Sequence, residues 1–595
     1  GPAFLMNSSA SGQLSHATPN LHIAITLCFV SFFAGLPLIQ FLGEVVTQPA
    51  KLPTALQLVP MLIHAVQDGM RTPGSLWRQG LAANSHVCQE LRTYETNVTT
   101  SAWPVRGARD RLQVGFSAFL ATGNEQVDIG RDGWMYFRPD VDALTSPGFL
   151  QPEVTRPGMA RGTRQTNPLP AIQQFAADLG ARGIRLCLLP IPSKASIHLG
   201  LSSSTLNADT PSRQPIHNVD FQQFVKQFPK RNAAENAERT ASDRAHVLLI
   251  GDLDQQFLGA SDQGIPCYLK TDTHWTPQGL EVAVQHVAQA LRNQGILRQS
   301  IEQQHSWNRW HPEVAEPIQK SGDTATLLGN MAQLGWGLEQ ETPTRIIDSQ
   351  QQDWQPDSQS EILILGDSFL NIYSQEELGW GTSAGFAEQL SHELALPLDR
   401  IAINAGGALA SRQELIRQLQ KAHDRLAGKK VVIWEFAERE LSFGDWQVLP
   451  LPESRNESSN QTNQVARDNS AEKSRLTTLS DAVAVTGEVL QVGRLANPQS
   501  MPYREALLPI HLRVDSWPAD KKSAEKSDSK EIVVYVWGLK DRRLTPAAAM
   551  RKGQTVQIKL IPWSEVESKY GRFARVELDD PDSVLLDLPT YWGEF

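Results

Sequence analysis

The sequence predicts a three-layer α/β sandwich of the flavodoxin-like kind, preceded by an apolar N-terminal segment and followed by a small all-β domain. Three observations lead there. Between about 116 and 447, apolar runs of four to seven residues alternate with amphipathic segments, the pattern of a parallel sheet covered by helices. At about 451–478 the chain turns to PESRNESSNQTNQVARDNSAEKSR, which has almost nothing apolar to bury and reads as a disordered linker. Beyond it come strand-like runs with little helical periodicity.

Taken in chain order, Gly1 to Leu5 precede the first methionine, Met6, and read as a cloning scar ahead of a short tail, 1–20. The stretch 21–43 holds LHIAITLCFVSFFAGLPLIQFL without a formal charge, enough at ~1.5 Å per residue to cross a ~30 Å hydrocarbon core. A transmembrane anchor is the expectation. The rival, a cleaved signal peptide, lacks its basic n-region and small-residue cleavage site. Lys and Arg are too sparse on either flank to orient the span, and a large acidic body suits an exported domain. Residues 44–115 read as a helical stalk or neck.

In the body, 116–447, the candidate buried strands are IRLCLLP (184–190), HVLLIG (246–251), EILILG (361–366), RIAINA (400–405) and KVVIWE (430–435). Thr276 and Pro277 open a helix whose stripe is Leu280, Val284, Val287 and Leu291. A second helix, SRQELIRQLQKAHDRLAG, aligns Leu415, Ile416, Leu419 and Leu426 and ends at Gly428. After the linker, 448–479, the tail 480–595 offers AVAVTGEVLQVG, LLPIHLRVDSW, IVVYVWGL, TVQIKLIPW and RFARVELDD as strands, with a short helical piece near Ala547. Five such strands fit an OB-like barrel or a β-sandwich.

Composition narrows the function. Lys+Arg number 55 against 65 Asp+Glu, a formal charge of -10, so the basic excess of a nucleic-acid binder is missing. The four cysteines, Cys28, Cys88, Cys187 and Cys267, form no CxxC pair and no metal-ligand cluster with histidine. No metal site is predicted, and the sequence does not say which cysteines, if any, would pair.

Two short motifs carry chemistry. In EILILGDSFLN a strand runs straight into Gly366-Asp367-Ser368, and a small residue there lets the chain turn and expose a hydroxyl at the sheet's carboxyl edge, where open α/β sheets hold ligands. In Lys270-Thr271-Asp272-Thr273-His274-Trp275, Asp272 and His274 are the residue types a serine needs. An imidazole takes its proton, and a carboxylate fixes the imidazole tautomer. Each motif alone is also a common turn or cap; together in one α/β domain they carry weight.

TDTHW before a helix, then a strand ending in GDSF, then NAGG and WEFAERE, resembles the alginate O-acetyltransferase family (AlgJ/AlgX-like), a permuted branch of the SGNH hydrolase superfamily. GRDGWMYF (130–137), LPIPSKASIH (189–198) and SGDTATLL (321–328) fit the same pattern. The resemblance covers roughly 125–445 and implies an SGNH-hydrolase-like sandwich in which Ser368 is nucleophile, His274 general base and Asp272 its orienting carboxylate. The Asp-x-His block precedes the serine, an order that matches the permuted branch. The Ser368 backbone N–H with Asn404, Gly406 and Gly407 is the expected oxyanion site. Tyr373, Lys194 and Arg439 are weaker candidates for substrate contact, and Glu435 and Arg439 for holding the site loop. This chain departs from the family in having His198 where a tyrosine is common, and its tail shows no recognisable carbohydrate-binding module.

The resulting expectation is an inner-membrane, single-pass O-acetyltransferase whose catalytic domain faces the periplasm and acetylates an exported polysaccharide. By the resemblance, no tightly bound cofactor is needed, and a membrane-bound O-acyltransferase partner supplies the acetyl donor. The same residues would also serve a carbohydrate acetyl-esterase, and the fold alone a non-catalytic glycan-binding assembly protein. Trp275, Trp380, Trp537 and Trp563 are candidate sugar-stacking residues, with core packing the commoner use of any single one.

Overall fold

The structure is a computed structural model that describes residues 34–47, 52–71, 75–101, most of 112–150, 165–198, 214–228, 247–295, 310–329, 337–420, 424–452, 483–493, 503–516, 530–571 and most of 573–595. It divides into two units, 1–115 and 116–595. The first contains helices Leu36–Thr47, Thr54–Met70 and Leu76–Ser101. The last two lie in close contact, because a Cβ at Gly69 would fall 2.2 Å from the Ala83 Cα. The apolar stretch 21–43 lies mostly outside the described residues. Among those described, no helix is long and apolar enough to cross a membrane. The linker 448–479 also lies outside them, apart from 448–452.

The second unit is built on a five-stranded parallel sheet. Its strands run side by side in the order Asp399–Ala402, Ile362–Gly366, Val431–Ala437, Arg185–Ile191, Leu248–Leu249. All five sequence-predicted strands are present, each shifted by a few residues. Strand side chains alternate between faces. Ile362, Ile364, Val431, Ile433, Cys187 and Leu189 therefore pack with helices Leu253–Asp262, Pro277–Asn293 and Phe386–Leu394. Leu363, Leu365, Val432, Trp434, Leu186 and Leu188 pack on the other side with Pro168–Ala181 and with Leu415 of Ala410–Gln420. These are the three expected layers.

Capping explains where two of the helices start. The Asn167 side chain accepts the Leu169 N–H, and Thr276 Oγ1 accepts that of Gly279 at 3.0 Å, with proline in the first turn each time. The helix predicted to run to Gly428 is described over Ala410–Gln420, and by Asp424 the chain is no longer helical. Asp424 instead organises a turn, accepting the Leu426 N–H on its side chain and the Ala427 N–H on its carbonyl. Leu426 packs with Leu415 from that turn, while Ile416 faces Leu449 and Leu586. Cys88, Cys187 and Cys267 are free thiols.

The tail is a closed barrel. Val483–Val492 pairs antiparallel with Ala506–Ser516 and with Thr555–Pro562, and Ala506–Ser516 pairs antiparallel with Glu531–Lys540. Thr590–Glu594 lies parallel to Glu531–Lys540 and antiparallel to Thr555–Pro562, which closes the ring. With strands numbered along the chain, the circuit is 1-2-3-5-4-1, and of the two expected architectures this is the OB-like barrel. Three details differ from the expectation. RFARVELDD contributes only the short strand Ala574–Arg575. Pro562, which has no N–H for the ladder, ends its strand, and Trp563–Tyr570 is helical. The fifth barrel strand is Thr590–Glu594, a segment not read as a strand.

Barrel and body meet through a buried charge cluster. Arg575 Nη2 lies 2.5 Å and Arg417 Nη1 2.8 Å from Glu414 Oε2, and the two guanidinium groups hold the Glu414 carboxyl well below the usual carboxylate range despite its burial. Removing one member of such a buried group costs about 3–5 kcal/mol because the other charge is left without its counterion. Arg575→Leu is expected at the low end, about 3 kcal/mol, since Arg417 still neutralises Glu414. Urea unfolding at neutral pH measures it.

Candidate active site

Ser368 opens the short helix Ser368–Asn371, two residues beyond the strand that ends at Gly366. Gly366 is required by space: a Cβ there would sit 2.2 Å from Glu435 Oε2. That same oxygen accepts the Asp367 N–H at 3.0 Å, and Asp367 in turn accepts the Phe369 N–H at 2.9 Å. Glu435 from the neighbouring strand thus clamps the turn on which the serine sits. Burial raises the Glu435 carboxyl far above its usual range, with the Asp367 carboxylate adding to the effect.

The Asp-x-His segment arrives from before helix Pro277–Asn293. Its His274 Nε2 lies 2.9 Å from Ser368 Oγ and its Nδ1 2.6 Å from Asp272 Oδ1. The other Asp272 oxygen accepts the Trp380 indole N–H and the Asp323 backbone N–H, each at 3.0 Å. Burial works to raise the Asp272 carboxyl, yet His274, Lys320 and the Trp380 hydrogen bond outweigh it and hold it well below the usual range. Burial likewise works against a charged His274, but the Asp272, Asp323 and Asp367 carboxylates raise its pKa overall. Asp323 accepts the Thr273 N–H at 2.7 Å and the Thr273 hydroxyl at 2.5 Å. Burial and the nearby Asp272 charge push its carboxyl up to about 6.

Serine, imidazole and carboxylate are therefore hydrogen-bonded in series at the carboxyl end of the sheet. The weaker candidates are placed differently. Lys194 is buried, and Nζ donates to the carbonyls of Leu269, Lys270 and Asp272 at 2.9, 3.1 and 2.6 Å. All three ammonium protons are occupied, so it braces the Asp-x-His loop and has none left for substrate. Burial lowers it to about 8. Tyr373 is a core residue whose hydroxyl donates to the Trp275 carbonyl at 2.8 Å. The Asn404 amide donates to Gln375 Oε1 at 2.7 Å and its oxygen accepts from Asn371 at 2.9 Å. Its carboxamide is thereby tied beside the serine helix.

Gly406 and Gly407 make the turn into helix Ala410–Gln420. Gly407 has a φ of +51°, and a Cβ there would meet Glu440 Oε2 at 2.4 Å. Arg439 pairs with Asp140 at 3.0 Å and lies over the Phe137 ring. Of the tryptophans named as sugar-stacking candidates, Trp275, Trp380 and Trp563 are fully buried and Trp537 half-buried.

Glu435, read from the sequence as a candidate for holding the site loop, holds the serine turn through the Asp367 N–H, while three contributors went unassigned in the sequence: Asp323, Trp380 as a donor to Asp272, and Glu339. The Glu339 carboxylate accepts the Lys270 and Thr271 N–H groups at 2.6 and 2.8 Å. SGDTATLL was legible as a segment, but nothing in it pointed to Asp323 contacting Thr273. Among the described residues, Asp272, His274 and Asp323 form the one group close enough to share a metal ion. Their ligand atoms already serve the hydrogen bonds above.

Residues 127–438, more than half of the chain, match the family model described as the SGNH hydrolase-like domain of the acetyltransferase AlgX. The chain belongs to this family. It is 25% identical over 328 residues to the probable alginate O-acetylase AlgJ of Pseudomonas putida, covering 54% of this chain and 71% of the relative. For the AlgJ of Pseudomonas syringae pv. tomato the figures are 26% over 211 residues, 35% and 42%. The solved O-acetyltransferase domain of Pseudomonas putida AlgJ aligns over 53% of this chain and 92% of its own, at 20% identity and a TM-score of 0.36. Pseudomonas aeruginosa AlgX aligns over 62% and 71%, at 15% identity and a TM-score of 0.29. The family match takes in both the Asp272–His274 and Ser368 motifs and stops short of the barrel.

Two outcomes follow from the electrostatics. Because His274 carries a pKa raised by its carboxylate neighbours, its imidazolium persists above pH ~6.5 and loses its proton only as pH rises further. Asp323→Asn is expected to move that titration downward, which NMR of the imidazole measures. Glu435→Gln, which keeps an acceptor for the Asp367 N–H, should cost less than ~1 kcal/mol. Glu435→Ala leaves that buried N–H without a partner and should cost about 1–3 kcal/mol; thermal unfolding compares the two.

Proposed function

We propose that the chain is a serine-dependent O-acetyltransferase that places acetyl groups on hydroxyls of a polysaccharide. The observation that carries this reading is the unbroken series from Ser368 Oγ through His274 Nε2 and Nδ1 to Asp272 Oδ1, at 2.9 and 2.6 Å. Family membership and the names of the AlgJ relatives support the acetyl chemistry and the class of acceptor. By their names those relatives act on alginate; the acceptor proposed here is a polysaccharide of unspecified sugar.

In the first half-reaction His274 takes the Ser368 proton as Oγ bonds to the donor's acetyl carbon, and the departing group leaves with that proton. In the second, a sugar hydroxyl gives its proton to His274, its oxygen takes the acetyl carbon, and Ser368 regains a proton as it leaves. Asp272 stays ionised, holds the Nδ1 proton and stabilises the transient imidazolium. The Ser368 backbone N–H, covalently nearest the reacting carbon, donates to the oxyanion. The proposal includes a location: residues 21–43 anchor the chain in the inner membrane, the body works in the periplasm, and a membrane-bound O-acyltransferase delivers the acetyl group.

The experiment is incubation of the full chain with p-nitrophenyl acetate, with and without an oligosaccharide acceptor, followed by intact-mass and product analysis. An acetyl adduct on Ser368 and acetylated sugar are expected. Ser368→Ala should lose on the order of 10⁴-fold or more in acetyl turnover. Free acetate formed at the same rate whether or not acceptor is present would make the protein an esterase. Undiminished turnover by Ser368→Ala would remove the serine from the mechanism.

A further inference from the structure

Trp380 holds one oxygen of Asp272, yet its own stretch of chain does little to hold Trp380. It sits in Gly379-Trp380-Gly381, and both glycines have positive φ, +76° and +127°, backbone that glycine enters freely and other residues avoid. Only a single 3₁₀ turn, Glu376–Leu378, precedes it, and Gly379 ends that turn in the left-handed conformation. An indole whose Nε1 lies 3.0 Å from Asp272 Oδ2 therefore depends for its orientation on residues from elsewhere in the chain.

Lys320 is such a residue. It belongs to strand Ile318–Ser321, which pairs antiparallel with Leu338–Glu341, and its Nζ donates to the Leu378 carbonyl at 2.5 Å. The same nitrogen stands 5.5 Å from the centre of the Trp380 ring, within the ~6 Å reach of a cation–π contact. The lysine stem passes tightly over the turn, because a Cβ at Gly379 would fall 2.6 Å from Nζ and 3.3 Å from Cε. Gly379 thus meets two demands at once, the left-handed turn and the passage of the lysine.

The segment that carries Lys320 also carries Asp323, whose backbone N–H donates to the same Asp272 oxygen at 3.0 Å. Both donors to Asp272 Oδ2 are therefore governed by residues 318–323, one directly and one through the indole. Glu339, opposite Lys320 in the two-stranded ribbon, holds the start of the Asp-x-His loop through the Lys270 and Thr271 N–H groups. The ribbon grips the carboxylate of the site from one side and its loop from the other.

We propose that Lys320 is a positioning residue of the Ser368 site, seating the Trp380 indole on Asp272 and setting, through its charge, how strongly His274 holds its proton. This rests on the reading of His274 as general base. A cation over an indole face is attracted to the ring, and linked polar contacts polarise one another, so the Nε1–H donates more strongly to Asp272. Burial works against the Asp272 charge, and His274 and Lys320 counter it. The groups that act on the imidazole against burial are the Asp272, Asp323 and Asp367 carboxylates. Those that face Lys320 are Asp272, Asp323 and, from the barrel, Arg542. Removing the lysine charge leaves the carboxylates less opposed, favours the imidazolium, and delays the neutral base to higher pH.

The test compares Lys320→Met, which keeps a long stem without the charge, with Lys320→Arg, which keeps the charge, each in the full chain. The pH dependence of Ser368 acetylation by p-nitrophenyl acetate and the NMR titration of the His274 imidazole are followed in both. For Lys320→Met the acidic limb of the rate profile and the imidazole midpoint should each rise by about 0.5–1.5 pH units, the effect of a unit charge one indole away in a partly buried site. Lys320→Arg should stay within ~0.3 unit of the unaltered chain. A merely structural lysine would lower the rate at every pH and leave both midpoints in place, and that result for Lys320→Met would overturn the proposal. Should Lys320→Met melt early, the imidazole titration of its folded fraction at low temperature still gives the midpoint. If Ser368 of the unaltered chain takes up no acetyl group, the nucleophile reading fails by itself, and the imidazole midpoints still decide the role of Lys320.

Discussion

The buried Asp272 carboxylate is the constraint around which the site is arranged. A bare carboxylate in such surroundings would take up a proton rather than stay charged, so its ionised form exists only because donors converge on it. His274 holds one oxygen, and the Trp380 indole and the Asp323 N–H hold the other. These donors come from three separate stretches of chain, and Lys194 adds a fourth by gripping the Asp272 carbonyl. Satisfying one charge thus fixes the relative position of four segments, and with them the imidazole that faces Ser368.

The neighbouring acids divide roles by environment. Four carboxyls, Asp272, Asp323, Asp367 and Glu435, crowd the same sheet edge, beside the Arg439–Asp140 ion pair. Like charges in a confined space cannot all ionise, so their affinities for protons spread apart. Asp272 lies far below the usual range, Asp323 is raised to about 6, and Glu435 is raised well above its ordinary value. Glu435 is a mechanical part, accepting the Asp367 N–H at 3.0 Å under the serine. Asp323 adds to the larger pull of Asp272 on the His274 proton.

Apolar runs of four to seven residues made the five body strands legible, and the Thr276–Pro277 cap with its apolar stripe did the same for helix Pro277–Asn293. Ser368, His274 and Asp272 stood out because their residue types sit beside turn and strand signals, which are local. What escaped was non-local. Tyr373 and Lys194 looked like substrate contacts by position along the chain, and only folding shows that their polar atoms close onto the backbone carbonyls of the Asp-x-His segment. Asn404 ends a strand at the right edge, yet its amide orientation depends on Asn371 and Gln375, residues that no pattern connects to it. Thr590–Glu594 is too short to announce itself as a strand. It becomes one because the open edges of Glu531–Lys540 and Thr555–Pro562 both need a partner.

The same reasoning explains why the tail read as a separate appendage. A polar linker signals that two segments fold around separate cores, and the barrel core and the sheet core are indeed distinct. It carries no information on whether those cores then dock. Docking here is carried by single residues: Arg575 against Glu414, and Leu586 against Ile416 and Leu449. Each looks unremarkable in its own local sequence, because a charge or a leucine near a strand is ordinary. Arg575 and Glu414 lie 161 positions apart in the chain, so only the folded molecule shows that one is the other's counterion.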